Sequence, residues 1–369
     1  MKPKYYLFIF VLALFAMMLS GCAGRASLSN SWPGLATDGE NAYLAVGQYV
    51  YAIRLSDGSE IWRYPDKANN NLKFFGRPVI TPEGMVVVGS AGSDNRLVAL
   101  DPERIDVETN SPEEAWIFTS AGNGWIAPPL LFDDRLFAPN TDGKLYVLDL
   151  QDGLATKVPV KIVELGDGVW AQPGTNGELI FITSVGHHLF ALDAETYEFA
   201  WPAIDLGGTA PGSPLIGSDN TLYVGSFSAE MMRIDIISGT SESFFQTQNW
   251  VWGAPVTDGN AIYFGDLDGF FYAVDAETGE LSWSIQPDGP IVGSPLMMPE
   301  NIVFTTESGS VYAVTDDGKI AWQREVGGKI YTAPVSGSDR IVVAPYQADF
   351  VLAVLDQNGN QVWSFTPEN

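Results

Sequence analysis

Between Ala261 and Trp283 the chain reads AIYFGDLDGFFYAVDAETGELSW: an apolar run, a glycine-containing turn, a second apolar run, a second such turn, and a third run closing on tryptophan. Short runs of this kind, bounded by Asp, Asn and Gly, predict strands joined by hairpins. The same script recurs in GKLYVLDLQDG from Gly143, HLFALDAETYEFAW from His188, GSVYAVTDDGKIAW from Gly309 and FVLAVLDQNGNQVW from Phe350. A further strand begins at a proline ahead of each unit: FGRP at Pro78, WIAP at Pro128, WAQP at Pro173, PGSP at Pro214, WGAP at Pro255, VGSP at Pro295 and YTAP at Pro334, with SWPG at Pro33 a degenerate eighth. Successive prolines lie 39 to 50 residues apart and no unit carries a helical period. Repeats of about 40 residues with four strands each are the signature of propeller blades. The pattern predicts an all-β fold, an eight-bladed β-propeller of four-stranded antiparallel blades, with the proline-led strand innermost.

Two positions of the script recur across units. Ahead of the second turn stand Arg54, Asp101, Asp149, Asp193, Asp235, Asp275, Thr315 and Asp356. Aspartate at a strand end accepts hydrogen bonds from the turn that follows, so these are turn residues rather than a row of catalytic carboxylates. Tryptophan closes six units, at Trp62, Trp116, Trp201, Trp283, Trp322 and Trp363; the third and fifth units lack it. The YAxDxxTGxxxW script with its proline-led first strand resembles the pyrroloquinoline-quinone (PQQ) type β-propeller repeat, over nearly all of the chain beyond its leader. That resemblance implies that the six tryptophans are structural staples docked between neighbouring blades, and that Phe244 or Phe245 substitutes in the fifth.

At the N-terminus Lys2 and Lys4 precede an apolar run from Tyr5 to Leu19, then LSGC at Leu19 to Cys22. The run falls short of the ~20 residues a spanning helix needs, so it reads as an export signal rather than an uncleaved anchor. LSGC resembles the bacterial lipobox, in which the cysteine is lipidated. Cys22 is the one cysteine of the chain, and lipidation removes the liability of a lone thiol in an oxidising compartment. The expected organisation is a lipoprotein signal peptide at 1–21, a lipidated tether at 22–31 and a single propeller at 32–369. Ala23 after the cysteine resembles an outer-membrane sorting pattern. The expected location is the cell envelope, on the periplasmic face of the outer membrane in a Gram-negative cell and on the cell surface otherwise.

Charge narrows the partners. The formal net charge is −26, and loss of Lys2 and Lys4 with the leader makes it more negative. Nucleic acid is excluded as a partner, because binding it depends on Lys and Arg neutralising phosphates. A hydrophobic content of 46% with 38 glycines and 23 prolines fits a well-cored, turn-rich protein.

Catalytic chemistry finds little purchase. Quinone-dependent dehydrogenases of the resembling family use a vicinal cysteine pair beside PQQ and a nearby calcium; one cysteine excludes the pair, and no CxxCH haem motif is present. No cofactor is expected, PQQ included, and calcium stays open. His187 and His188, the two histidines, should point to opposite faces of a strand and make a poor metal pair. DLDG at Asp266 lacks the remaining ligands of a calcium loop and reads as a turn. No metal site is expected.

Residues just before each proline should ring one mouth of the channel. That set is Phe75, Arg77, Trp125, Trp170, Trp252 and Tyr331, with Trp250 on the same strand face as Trp252 but at no shared position of the repeat. The long segment DKANNNLK, with Asn69, Asn70 and Asn71, and the neighbouring turn GSAGSDNRL should form a raised patch on the same side. The insertion PERIDVETNSPEEA belongs to the opposite face. A lipid-anchored propeller of this size without redox residues resembles the assembly-factor lipoproteins of outer-membrane β-barrel assembly, the BamB type. The function expected is a non-enzymatic scaffold, anchored to the membrane at Cys22 and binding envelope proteins through propeller loops. Two other classes fit the same scaffold: a PQQ-dependent dehydrogenase-like quinone binder or sensor, and a cell-surface propeller binding glycan.

Overall fold

The computed structural model describes residues 31–368 except 152 and 157. The expected signal peptide at 1–21, Cys22 and most of the expected tether lie outside the described residues. Eight antiparallel sheets follow one another along the chain, each a meander in sequence order. They form blades 1 to 8, at residues 34–64, 79–118, 130–164, 174–205, 215–246, 256–285, 296–325 and 335–365. Blade 3 departs from four strands: Lys144–Gln151 pairs with both Leu154–Ala155 and Lys161–Glu164, which divide its outer edge between them.

The burial of each strand follows from its distance to the axis. In blade 6 the first strand, Val256–Thr257, is half-buried, while Ala261–Gly265 and Phe271–Asp275 are almost wholly buried. Leu281–Ile285, outermost, is mostly exposed. The middle strands are covered on both faces by neighbouring blades, which is why they read as continuous apolar runs rather than alternating ones. The core is accordingly split into eight slabs, one per blade junction; blades 5 and 6, for example, share Tyr223, Met231, Val251, Phe264 and Tyr272.

Six of the eight junctions carry a closing tryptophan. The indole Nε1 of Trp116 donates to Gly153 O at 3.0 Å, Trp201 to Ile236 O at 3.2 Å, Trp283 to Asp316 O at 2.7 Å and Trp322 to Gln357 O at 2.8 Å, each in the next blade's outer turn. The indole faces cover turn glycines: a Cβ on Gly318, whose φ is +80°, would lie 2.7 Å from the Trp283 ring. Trp62 is 1% exposed, in the slab between blades 1 and 2.

The two units without tryptophan solve the joint differently. In blade 5 Phe244 takes the place, packing 5.0 Å from Tyr223 as Trp283 packs against Tyr263, and lying over Gly279 of blade 6. In blade 3 the outer strand supplies no large ring, and the next blade's turn carries Tyr197 where its counterparts carry glycine or, in blade 2, Asn110. Tyr197 adopts φ +60° and packs on Phe137 and beneath the guanidinium of Arg135, both of blade 3.

The ring closes without strand exchange. Blade 1 is built wholly from the first described residues and blade 8 from the last. Their slab contains Leu35, Leu44, Ile53, Val342, Leu352 and Val354, and Trp363 Nε1 donates to Leu55 O at 3.2 Å, the same fastening used elsewhere in the ring.

Candidate functional site: the channel mouth

Five glycines at or just before the innermost strands set the width of the channel. A Cβ on Gly34, Gly76, Gly212, Gly253 or Gly293 would lie within 3 Å of backbone in the next blade's inner segment. These backbones therefore touch around the axis, and side chains three residues before each proline point into the opening above them.

That opening is a cavity of about 740 Å³, lined among others by Phe75, Ile126, Trp170, Trp252 and Tyr331. Phe75, Arg77, Trp170, Trp252 and Tyr331 are thus brought together as the sequence suggests. Trp125 is not: it is 1% exposed, packed on Phe118 and Tyr146, with Nε1 donating to Asn95 O at 3.1 Å. The reason is a register slip. Blade 3 has two adjacent prolines, and its first strand starts after Pro129, as other first strands start after their single proline. The unit is phased on Pro129, not Pro128, so Ile126 takes the channel position and Trp125 turns one step back into the core.

A second tier stands outside the first. The turn joining the second and third strands places one residue over the mouth in each of several blades: Leu267, Glu307 and Tyr346 line the cavity, and Phe227 holds the matching position in blade 5. The amide of that residue bonds the carbonyl five positions before the proline, as in Phe227 N to Thr209 O, Leu267 N to Trp250 O and Glu307 N to Pro290 O. Trp250 therefore does occupy a shared position, filled elsewhere by Lys73, Gly124, Gly168, Thr209, Pro290 and Lys329. Its side chain is the exception. Trp250 is 47% exposed and stacks on Phe227 at 4.6 Å and 10°, and Phe227 lies 5.3 Å from Trp252, itself 6.4 Å from Trp170. Sequence reasoning missed Phe227; the signal was an aromatic residue between two serines, Ser226 and Ser228, in a hairpin turn.

Charge in the mouth is sparse. Lys329 Nζ reaches Glu307 at 2.5 Å and Tyr331 Oη donates to the same carboxylate at 3.1 Å; these hydrogen bonds, that from Lys329 first, hold the Glu307 pKa below its usual range. Arg77 faces the lumen, open to channel water yet surrounded by protein. Its guanidinium donates to Gln172 Oε1, and desolvation pulls its pKa down. No carboxylate pairs with Arg77 among the described residues.

Asn69, Asn70 and Asn71 lie outside the cavity, on a ridge beside it. Asn70 Oδ1 accepts from Gln48 Nε2 at 2.8 Å, and Asn71 holds the neighbouring turn through Ser93 Oγ at 2.9 Å and Asp94 N at 3.0 Å. The histidines differ from expectation. His187 sits in a turn at φ +67° rather than on the strand, so its ring stacks beside His188 at 6.2 Å instead of opposing it. His188 Nδ1 meets Asp167 at 3.0 Å. No group of three or more His, Cys, Asp and Glu among the described residues is arranged to hold a metal ion. Asp266 of DLDG is fully buried and accepts from the amides of Asp268 and Phe270 and from Tyr272 Oη at 2.7 Å, which makes it the hub of a turn.

A sequence profile of the family described as outer membrane protein assembly factor BamB matches residues 24–156 and 241–366, well over half of the chain. The chain belongs to the BamB family. Among curated BamB relatives, that of Burkholderia pseudomallei is 26% identical over 112 residues, which is 30% of this chain and 29% of the relative. The chain thus matches less than a third of that relative's length. BamB of Moranella endobia is 21% identical over 80% of this chain and 77% of its own. A shorter stretch, 23% of this chain and 15% of the relative, is 29% identical to a lanthanide-dependent methanol dehydrogenase of Methylacidiphilum fumariolicum. The crystal structure of BamB from Moraxella catarrhalis superposes with a TM-score of 0.68 at 20% identity, covering 87% of this chain and 92% of that one. At that identity the likeness to BamB is one of fold.

Proposed function

We propose that this chain is a non-enzymatic lipoprotein scaffold, anchored to the envelope membrane at Cys22, that binds envelope proteins through the mouth and loops of its propeller. Its place is in outer-membrane β-barrel assembly, and it works without PQQ or another cofactor. The observation that carries the reading is the aromatic run from exposed Trp250 through half-buried Phe227, Trp252 and Trp170, leading from the rim into an apolar opening. Large exposed aromatics beside a pocket are the anchors from which protein interfaces draw most of their energy. The family match supports the assembly role, and the charge of −26 argues against nucleic acid and anionic lipid as ligands.

Affinity capture from solubilised envelope tests it. The full-length lipidated chain should co-purify components of the β-barrel assembly machinery. Trp250→Ala should lower that yield about tenfold, the loss of one interface anchor of ~1.4 kcal/mol. Replacing Asn69, Asn70 and Asn71 together by alanine should lower it less. Unchanged capture by a folded Trp250→Ala chain would show that the partner sits elsewhere.

A further inference from the structure

Both histidines of the chain sit together at the turn between the second and third strands of blade 4. That turn holds one residue at positive φ, and in blades 3, 6 and 7 it is glycine: Gly143, Gly269 and Gly309, at +81°, +80° and +88°. Blade 5 has Ala229 there and blade 8 Gln347, while blade 4 has His187 at +67°. A histidine gains little packing from this backbone, since its side chain is 55% exposed. A strained residue without a packing task points to a task of another kind.

The surroundings are those of metal ligands. His188 Nδ1 lies 3.0 Å from Asp167 Oδ2; with the proton there, the ring donates to the carboxylate and Nε2 keeps its lone pair. His187 Nδ1 faces Asp205 at 4.0 Å, and Asp205 stands opposite His188 in the strand pair. Asp167 reaches the turn because Gly186 has no side chain: a Cβ there would lie 2.0 Å from its carboxyl carbon. Two imidazoles on one ion hold their centroids at most about 6.5 Å apart, given a metal–nitrogen bond of about 2.1 Å. These rings are 6.2 Å apart, and closing to tetrahedral ligation takes about 1 Å of movement by side chains at the surface.

We propose that His187 and His188 bind one divalent transition-metal ion, Zn²⁺ or the more strongly held Cu²⁺, through Nε2 of each ring, with Asp167 orienting His188. Imidazole selects these ions over Ca²⁺ and Mg²⁺, which take oxygen ligands. Asp167 and Asp205 place negative charge beside the ion, and a chain of charge −26 draws cations to its surface. Two protein ligands leave the rest of the coordination shell to water, so the ion is exchangeable and the fold does not depend on it. Neither histidine lines the mouth cavity, and the site does not rest on the scaffold reading.

The full chain, purified without a polyhistidine tag, is titrated with Zn²⁺ by calorimetry. A one-to-one phase should appear that excess Ca²⁺ or Mg²⁺ does not displace; displacement overturns the imidazole ligands. Cys22→Ser, which removes the one thiol, should bind alike, and loss of the phase there places the ion at the thiol and overturns the site. His187→Gly separates binding from folding, because glycine suits φ +67°. It should unfold at the same temperature or higher, yet bind Zn²⁺ at least about tenfold more weakly. Undiminished binding by His187→Gly or by His188→Ala overturns the site. Asp167→Asn keeps an acceptor without the charge and should weaken binding about tenfold or more; unchanged affinity overturns its orienting part. Cu²⁺ on the unaltered chain should show two imidazole nitrogens by electron paramagnetic resonance, and all-oxygen ligation overturns the proposal.

Discussion

At the scale of single residues, the ring depends on a few repeated contacts whose loss should be measurable. Trp62 is fully buried, and Trp62→Ala should cost about 3–5 kcal/mol, read as a lower denaturant midpoint. Gly318→Ala puts a methyl group 2.7 Å from the Trp283 ring at φ +80°, so it should cost about 1–3 kcal/mol although it adds only one carbon. The turn aspartates set the response to acid. Backbone amides hold Asp193, Asp235 and Asp275 below the usual value of 3.8, and Asn360, through its side chain and its amide, does the same for Asp356. A depressed carboxyl in the folded chain binds its proton less readily than in the unfolded chain, so its contribution is complete above the unfolded value and vanishes as pH falls through the folded one. The thermal midpoint should therefore be level near neutrality and decline below about pH 4. Asp275→Asn, which keeps an acceptor without the charge, should make that decline shallower; an unaltered slope would show that other carboxylates govern it.

At the scale of elements, the blade joints show how far a repeat can be read. The strands, their order and the staple tryptophans were legible because each blade faces the same two neighbours and so repeats the same residue types. Blade 3 was not, since adjacent Pro128 and Pro129 satisfy the spacing equally and only the strand start selects between them. That ambiguity misplaced Trp125. The outer tier of the mouth was hidden for another reason: turn residues such as Phe227 and Leu267 stand over the opening rather than in the slabs between blades, so no core packing repeats them. Tyr197 is the opposite case, a break in the repeat that compensates for another one on the facing blade. Tyr197→Ala keeps the left-handed backbone but removes the ring over Phe137, and should cost about 1–3 kcal/mol by calorimetry. Little change would mean that blades 3 and 4 hold together without it.

At the scale of the whole molecule, the proposed binding mouth and the packing that holds the ring use different surfaces. The slabs between blades use the buried middle strands, while the mouth draws on segments before the prolines and on turns that bear little of the core. Substitution at Trp250 should accordingly alter binding while leaving the unfolding midpoint almost unmoved. The cofactor-free reading makes its own demand: the soluble domain given PQQ and calcium should gain no quinone absorbance and reduce no dye with alcohols or sugars. The closure between blades 8 and 1 has one more implication. Trp363 grips Leu55 just as Trp322 grips Gln357, so the seam is one joint among equals. A gene rearranged to begin at blade 2 and end with blade 1, its old termini linked, would have to make no contact that the native ring lacks.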